Sequence, residues 1–125
     1  MNEISLITGA SFGALAIIFG AFGAHALKKT LNEAQLKNFE TGVKYQMYHA
    51  LLLVLLGLGL EATHPYYTSI HYCISVGTIL FSFSIYGLVL SAAKGKTIKA
   101  LGPVTPIGGL LLVIGWALLA YSFSL

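Results

Sequence analysis

Long apolar runs broken by short charged connections set the pattern of this chain. Ser5 to Leu27 carries no charged residue and as a helix would reach about 35 Å, enough to cross a hydrocarbon layer about 30 Å thick. Lys28 and Lys29 end that run. The periodicity then changes: Glu33, Lys37, Glu40 and Lys44 recur at helical steps on one side, with Leu36, Phe39 and Val43 on another. This predicts an amphipathic helix over about 31–44, with both Glu-to-Lys pairs in the favourable order. Thr30-Leu31-Asn32-Glu33 matches a capping box at its start. No linker separates this helix from the next apolar run.

The second run raises a problem of length. Its clean part, Ala50 to Leu60, would cover only about 17 Å as helix, so the span has to start near residue 43. Tyr45, Gln46, Tyr48 and His49 then fall in the inner leaflet, with Lys44 reaching back to its edge. A turn from Glu61 to Pro65 leads past Tyr66 and Tyr67, which suit a headgroup belt, into a third span over about 68–93. Lys94 to Lys99 forms a second basic connection. Thr105 as N-cap and Pro106 at the first helical position then open a fourth span over about 106–123. With the first span over about 5–27, residues 1–125 read as one all-α domain: an integral membrane four-helix bundle with an interfacial amphipathic helix between spans one and two.

Composition strengthens the membrane reading. Charged residues make up 9% of the chain and apolar ones 57%, too little charge to cover the surface of a soluble domain. The net charge of +3 comes from seven lysines and no arginine, all in the first and third connections. That asymmetry indicates topology rather than nucleic-acid binding. It predicts lysine-rich connections 28–44 and 94–99 in the cytoplasm and both termini outside, in the plasma membrane of a bacterium. Ala24-His25-Ala26 has the form of a signal-cleavage site, but Glu3 without Lys or Arg ahead of a long apolar stretch does not fit a signal peptide. Cys73 is the only cysteine, which excludes an internal disulfide and a cysteine-based zinc site.

Three sets of positions stand out on the helices. Ser5, Gly9, Gly13, Ala16, Gly20 and Gly23 make one small-residue face on span one, and Gly108, Gly115 and Ser122 repeat the idea on span four. Such faces let helices approach closely in lipid. His71, Ser75, Thr78, Ser82 and Tyr86 form a polar stripe on span three, which suits either hydrogen bonding to neighbouring helices or a proton or ion path. His25 and His49, expected at comparable depth with Tyr45 and Gln46, form a candidate inner-leaflet polar cluster. A hydrogen-bonded structural role is favoured for it over metal or haem ligation, because the spacing matches no compact metal motif.

Three stretches carry a family resemblance: Gly20-Ala-Phe-Gly-Ala-His-Ala-Leu-Lys28, Phe39-Glu-Thr-Gly-Val-Lys-Tyr-Gln-Met-Tyr-His-Ala50, and Gly102-Pro-Val-Thr-Pro-Ile-Gly-Gly109 with Gly115-Trp116. In order and spacing over nearly the whole chain, the sequence resembles the small four-span membrane family of unknown function that includes transmembrane protein 256, the domain of unknown function 423 type. The resemblance implies a membrane fold and supplies no activity, substrate or cofactor.

The sequence therefore points to a non-enzymatic membrane component that binds lipid, a hydrophobic ligand or a membrane partner, which could be a second copy of itself. No cofactor, metal or nucleic acid is expected. The alternative is a small oligomeric transporter or channel that uses His25, His49 or the span-three stripe. Such a transporter would lack the buried carboxylate that small multidrug exporters carry in their first span. A redox enzyme or haem carrier built on the histidines is the least supported, and no hydrolase or phosphate-binding motif is present.

Overall fold

The computed structural model describes residues 2–124 and is helical throughout its regular structure. Helix α1 spans Asn2–Ala24, α2 Glu33–Gly59, α3 Tyr67–Ala93 and α4 Val104–Ser124. Single 3-10 turns at Leu27–Lys29 and Lys99–Leu101 lie in the two lysine-bearing connections. Three helical stretches, Asn2–Ala24, Tyr67–Ala93 and Lys99–Ser124, are long and apolar enough to cross a membrane.

The predicted amphipathic helix and second span form one uninterrupted helix, α2. Its start lies two residues beyond the expected capping box. The Asn32 side chain accepts from Gln35 N–H at 2.8 Å, and the Gln35 side chain accepts from Asn32 N–H at 3.0 Å. The shift has a packing reason: with Asn32 as N-cap, Leu31 precedes the cap and Leu36 follows in the first turn. These two join one hydrophobic cluster, the arrangement of a hydrophobic staple. The expected Glu-to-Lys pairs on α2 do not close, since no ion pair forms among the described residues.

Helix α3 ends in a glycine cap. Gly95 takes φ +80°, and Lys96 and Gly95 donate backbone bonds to Ser91 and Ala92, satisfying carbonyls that the helix end leaves free. Helix α4 begins at Val104 rather than after Thr105. Pro106 is tolerated there because first-turn N–H groups have no intrahelical acceptor, and Thr105 Oγ1 is 2.6 Å from Ser84 Oγ instead of capping the helix.

Two close helix pairs build the molecule. In the first, α1 lies antiparallel along α2: a Cβ on Gly9 would meet Ala50 O at 2.7 Å, and one on Gly23 would meet the Phe39 ring at 3.0 Å. In the second, α3 packs antiparallel to α4. A Cβ on Gly108 would run into the α3 backbone at Phe81, and one on Gly115 would meet Ile74 at 2.6 Å. Gly13 and Gly20 face Ala50 and Val43 with more room. The α3 backbone opposite Gly108 is a π-helical stretch, Ile79–Phe83, a local widening of the helix. The pairs join through α2 and α3 around Leu52, Leu53, Leu56, Tyr67, Ile70 and Ile74. A second apolar cluster near the lysine-bearing end contains Leu31, Phe39, Tyr86 and Val89.

Candidate functional site

The polar residues singled out in the sequence divide into three separate places. At mid-height, Gln46 is fully buried and is the central residue of α2. Its Nε2 donates to Phe12 O of α1 at 2.8 Å, and its Oε1 accepts from Tyr86 OH of α3 at 2.7 Å. One turn away, Ser82 Oγ donates to Gly42 O at 2.8 Å. Gly42 leaves room for the Tyr86 ring, since a Cβ there would lie 2.7 Å from Tyr86 Cε1. Phe19, Phe39 and Phe83 enclose that ring, with centroids 5.0 to 5.6 Å away. A side-chain amide buried among apolar groups is costly unless both its ends are bonded. Here both are, so the network ties three helices together.

The second place is the end that holds the termini and the Glu61–Tyr66 turn. Tyr67 OH donates to Ser5 Oγ at 2.6 Å, and Ser5 Oγ shares a 2.8 Å bond with His71 Nδ1. All three side chains are buried. His71 and Ser82, expected on one polar stripe, thus serve different contacts. Thr78 Oγ1 turns back to Ile74 O at 2.7 Å, and the buried Ser75 Oγ has no partner among the described residues.

The third place is a groove between α2 and α4, floored by α3. His49 lies there, and its bonds define its proton. Trp116 Nε1 can only donate, so His49 Nε2 accepts at 3.0 Å. Tyr45 O can only accept, so Nδ1, 2.7 Å away, carries the hydrogen. Both ring nitrogens of a neutral imidazole are therefore engaged. Tyr45 packs on Phe81 with ring centroids 4.9 Å apart, and Phe81 also borders Gly109. These aromatic groups divide the groove. Toward the lysines lies a cavity of about 260 Å³ lined by Asn38, Thr41, Gly102 and Thr105 over Ile85, Leu88 and Val89. Toward the termini lies an apolar cavity of about 230 Å³ between Leu52, Leu56 and Leu60 of the α2 side and Leu119 and Phe123 of α4.

His25 does not join His49. It is exposed at the end of α1, beside Ile18, Ala21 and Phe22. Gly13 and Ala50 are in register, which puts His49 about 18 Å along the helix axis from His25. The expectation of comparable depth fails because α2 continues unbroken past its charged half and carries His49 well up the α1 seam. Among the described residues no three His, Cys, Asp or Glu side chains gather as a metal-binding group.

Sequence reasoning did not single out the groove. Its signal was present on α4 and just before it, where Gly102, Thr105, Gly109, Leu112, Trp116, Leu119 and Phe123 recur at alternating steps of three and four. The face mixes small, polar and aromatic residues, so it matches neither an apolar nor a small-residue template.

A family profile described as "Protein of unknown function (DUF423)" matches residues 19–109. The chain is 39% identical over 117 residues to the UPF0382 membrane protein SAB0533 of Staphylococcus aureus, covering 94% of this chain and 92% of that protein. It is 35% identical over 121 residues to the UPF0382 inner membrane protein YgdD of Escherichia coli K12, covering 94% and 87%. No solved structure matches it.

Proposed function

Since this chain belongs to the DUF423 family of UPF0382 membrane proteins, a family of unknown function, we propose that it is a non-enzymatic bundle of four spans that holds a phospholipid in the groove between α2 and α4. In this reading all four helices cross the bilayer, and the charged half of α2 acts as the amphipathic segment at the cytoplasmic surface. Both termini lie outside, and connections 28–44 and 94–99 lie in the cytoplasm of a bacterial cell. The lysine asymmetry supports that orientation. Passage of α2 through the bilayer is supported by its packing along α1, from Phe39 against Gly23 to Gly57 against Leu6.

The observation that carries the lipid reading is the gradient along the groove. Its lysine end offers the Asn38 amide, the start of α4 and the acceptor oxygens of Thr41 and Thr105, whose hydrogens are held by Lys37 O and Ser84 Oγ, while its far end is apolar. A phospholipid of the cytoplasmic leaflet has the same polarity profile: a hydrogen-bonding head at the surface and an acyl chain running toward the midplane. Lys99 lies close in sequence to the lining residue Gly102 and adds charge that favours a phosphate head.

Native mass spectrometry of protein extracted from its own membranes in mild detergent tests the reading. One retained phospholipid per chain is expected. Protein that is bare in every mild detergent overturns it.

A further inference from the structure

We propose that the outward face of α2 is a homodimer interface in which the charged residues of one copy pair with those of a second. The inference rests on α2 crossing the membrane beside α1, as proposed above, and is independent of the lipid. Lys37, Glu40, Lys44, Tyr48, Leu51, Leu55 and Leu58 are all exposed and recur at steps of three and four, with Leu55 also bordering the apolar cavity toward α4. Helical geometry gathers them within about 80° of arc, directly opposite the α2 residues that face α3.

The contacts with α1 fix how deep this face runs. Phe39 packs at Gly23 and Val43 at Gly20. Glu40 therefore lies level with the last turn of α1, and Lys44 about one turn further in. At this level α1 and α3 carry no charged residue, from Phe19 to Gly23 and from Ser82 to Val89. Glu40 and Lys44 form no ion pair among the described residues. At the edge of the cytoplasmic leaflet, where the charged half of α2 meets the surface, such charges gain by pairing with one another or by facing protein. Glu40 lies between Lys37 and Lys44, so a lysine stands within about one turn of it on either side. In a two-fold dimer about an axis along the membrane normal, Glu40 of each copy comes within reach of a lysine of the other, twice by symmetry. Tyr48 and the three leucines continue the same face as its apolar part.

Full-length protein in lipid vesicles provides the test, with two tagged variants that make the stripe all positive (Glu40→Lys) or all negative (Lys37→Glu with Lys44→Glu). Mixed variants should give about tenfold more unlike than like pairs by co-purification or single-molecule counting. Intrahelical pairing or simple headgroup solvation predicts random mixing, and that result overturns the proposal. Wild-type protein is the check that needs no charge variant. Tyr48→Cys should crosslink between copies, whereas Ile17→Cys on the exposed face of α1 should not. Wild-type chains that stay monomeric overturn the dimer alone. Labelling of Tyr48→Cys by a membrane-impermeant maleimide would overturn the membrane placement of α2 and the dimer with it.

Discussion

Helix α2 has two different neighbours. Against α1 it makes a close seam, where Gly9 and Gly57 admit Ala50 O and the Leu6 side chain closer than any added Cβ would allow. Its one polar tie there, Gln46 to Phe12 O, is completely buried. Against α4 it makes a groove crossed by the single bond from Trp116 to His49, with a cavity on either side. In lipid no hydrophobic effect drives helices together, so close van der Waals contact has to supply the stability. A pair of helices that forgoes such contact along its length leaves space for something else. The seam holds the fold together, and the groove is where an occupant can sit.

Substitutions should separate the two regions. The largest effect is expected at the α3–α4 seam, the counterpart of α1–α2. Gly108→Leu would drive a side chain into the α3 backbone at Phe81, and overpacking that cannot be relieved by a rotamer change costs about 3 kcal/mol or more. Loss of the folded form, or a strong drop in resistance to detergent unfolding, is the expected result. Unchanged stability would mean that α3 and α4 are not in this contact. Next comes Gln46→Leu, which leaves the Tyr86 hydroxyl without its acceptor inside the bundle. A loss of about 1 to 2 kcal/mol is expected in the same unfolding measurement.

Smaller still is Trp116→Phe. It keeps most of the ring and removes the bond to His49, for a loss of about 0.5 to 1 kcal/mol together with faster exchange of bound lipid. The smallest effect on stability is expected from Gly109→Ala, one residue from Gly108. Its added methyl would rest 3.6 Å from the Phe81 ring, an ordinary contact at the groove wall, so a change within about 0.5 kcal/mol is expected. The contrast between Gly108→Ala, whose methyl would already meet the α3 backbone at Phe81, and Gly109→Ala is the sharpest internal check, because the same change then differs only in facing seam or groove.

Several of these features are legible in the amino-acid sequence. Apolar runs bounded by lysines locate the helices, because a membrane helix must satisfy its own backbone and cannot hide charge in lipid. The family resemblance is borne out by the profile match over residues 19–109. What the sequence could not convey is pairing. Nothing in the spacing of His25 and His49 indicates that α2 carries His49 about three turns up the α1 seam, or that its partner is Trp116, 67 residues away.

Likewise, the polar stripe of α3 was visible as a period. Its separate engagements, Tyr86 with Gln46, Ser82 with Gly42 and His71 with Ser5, depend on which helix lies opposite each turn. The π-helical stretch at Ile79–Phe83 has no composition signal either. The residues there are ordinary helix or strand formers, and the contact with Gly108 is tertiary.

The central claim is that a phospholipid occupies the α2–α4 groove, and photocrosslinking with a phospholipid that carries a reactive group in its acyl chain tests it most directly. Crosslinks should concentrate on the cavity residues Leu52, Leu56 and Leu60 and on Leu119 and Phe123 of α4, and they should fall at least about fivefold in Gly109→Leu, whose side chain would fill the groove beside Phe81. Crosslinks spread evenly over all exposed faces, with Ile7 and Ile17 of α1 labelled as strongly and no response to Gly109→Leu, would contradict it.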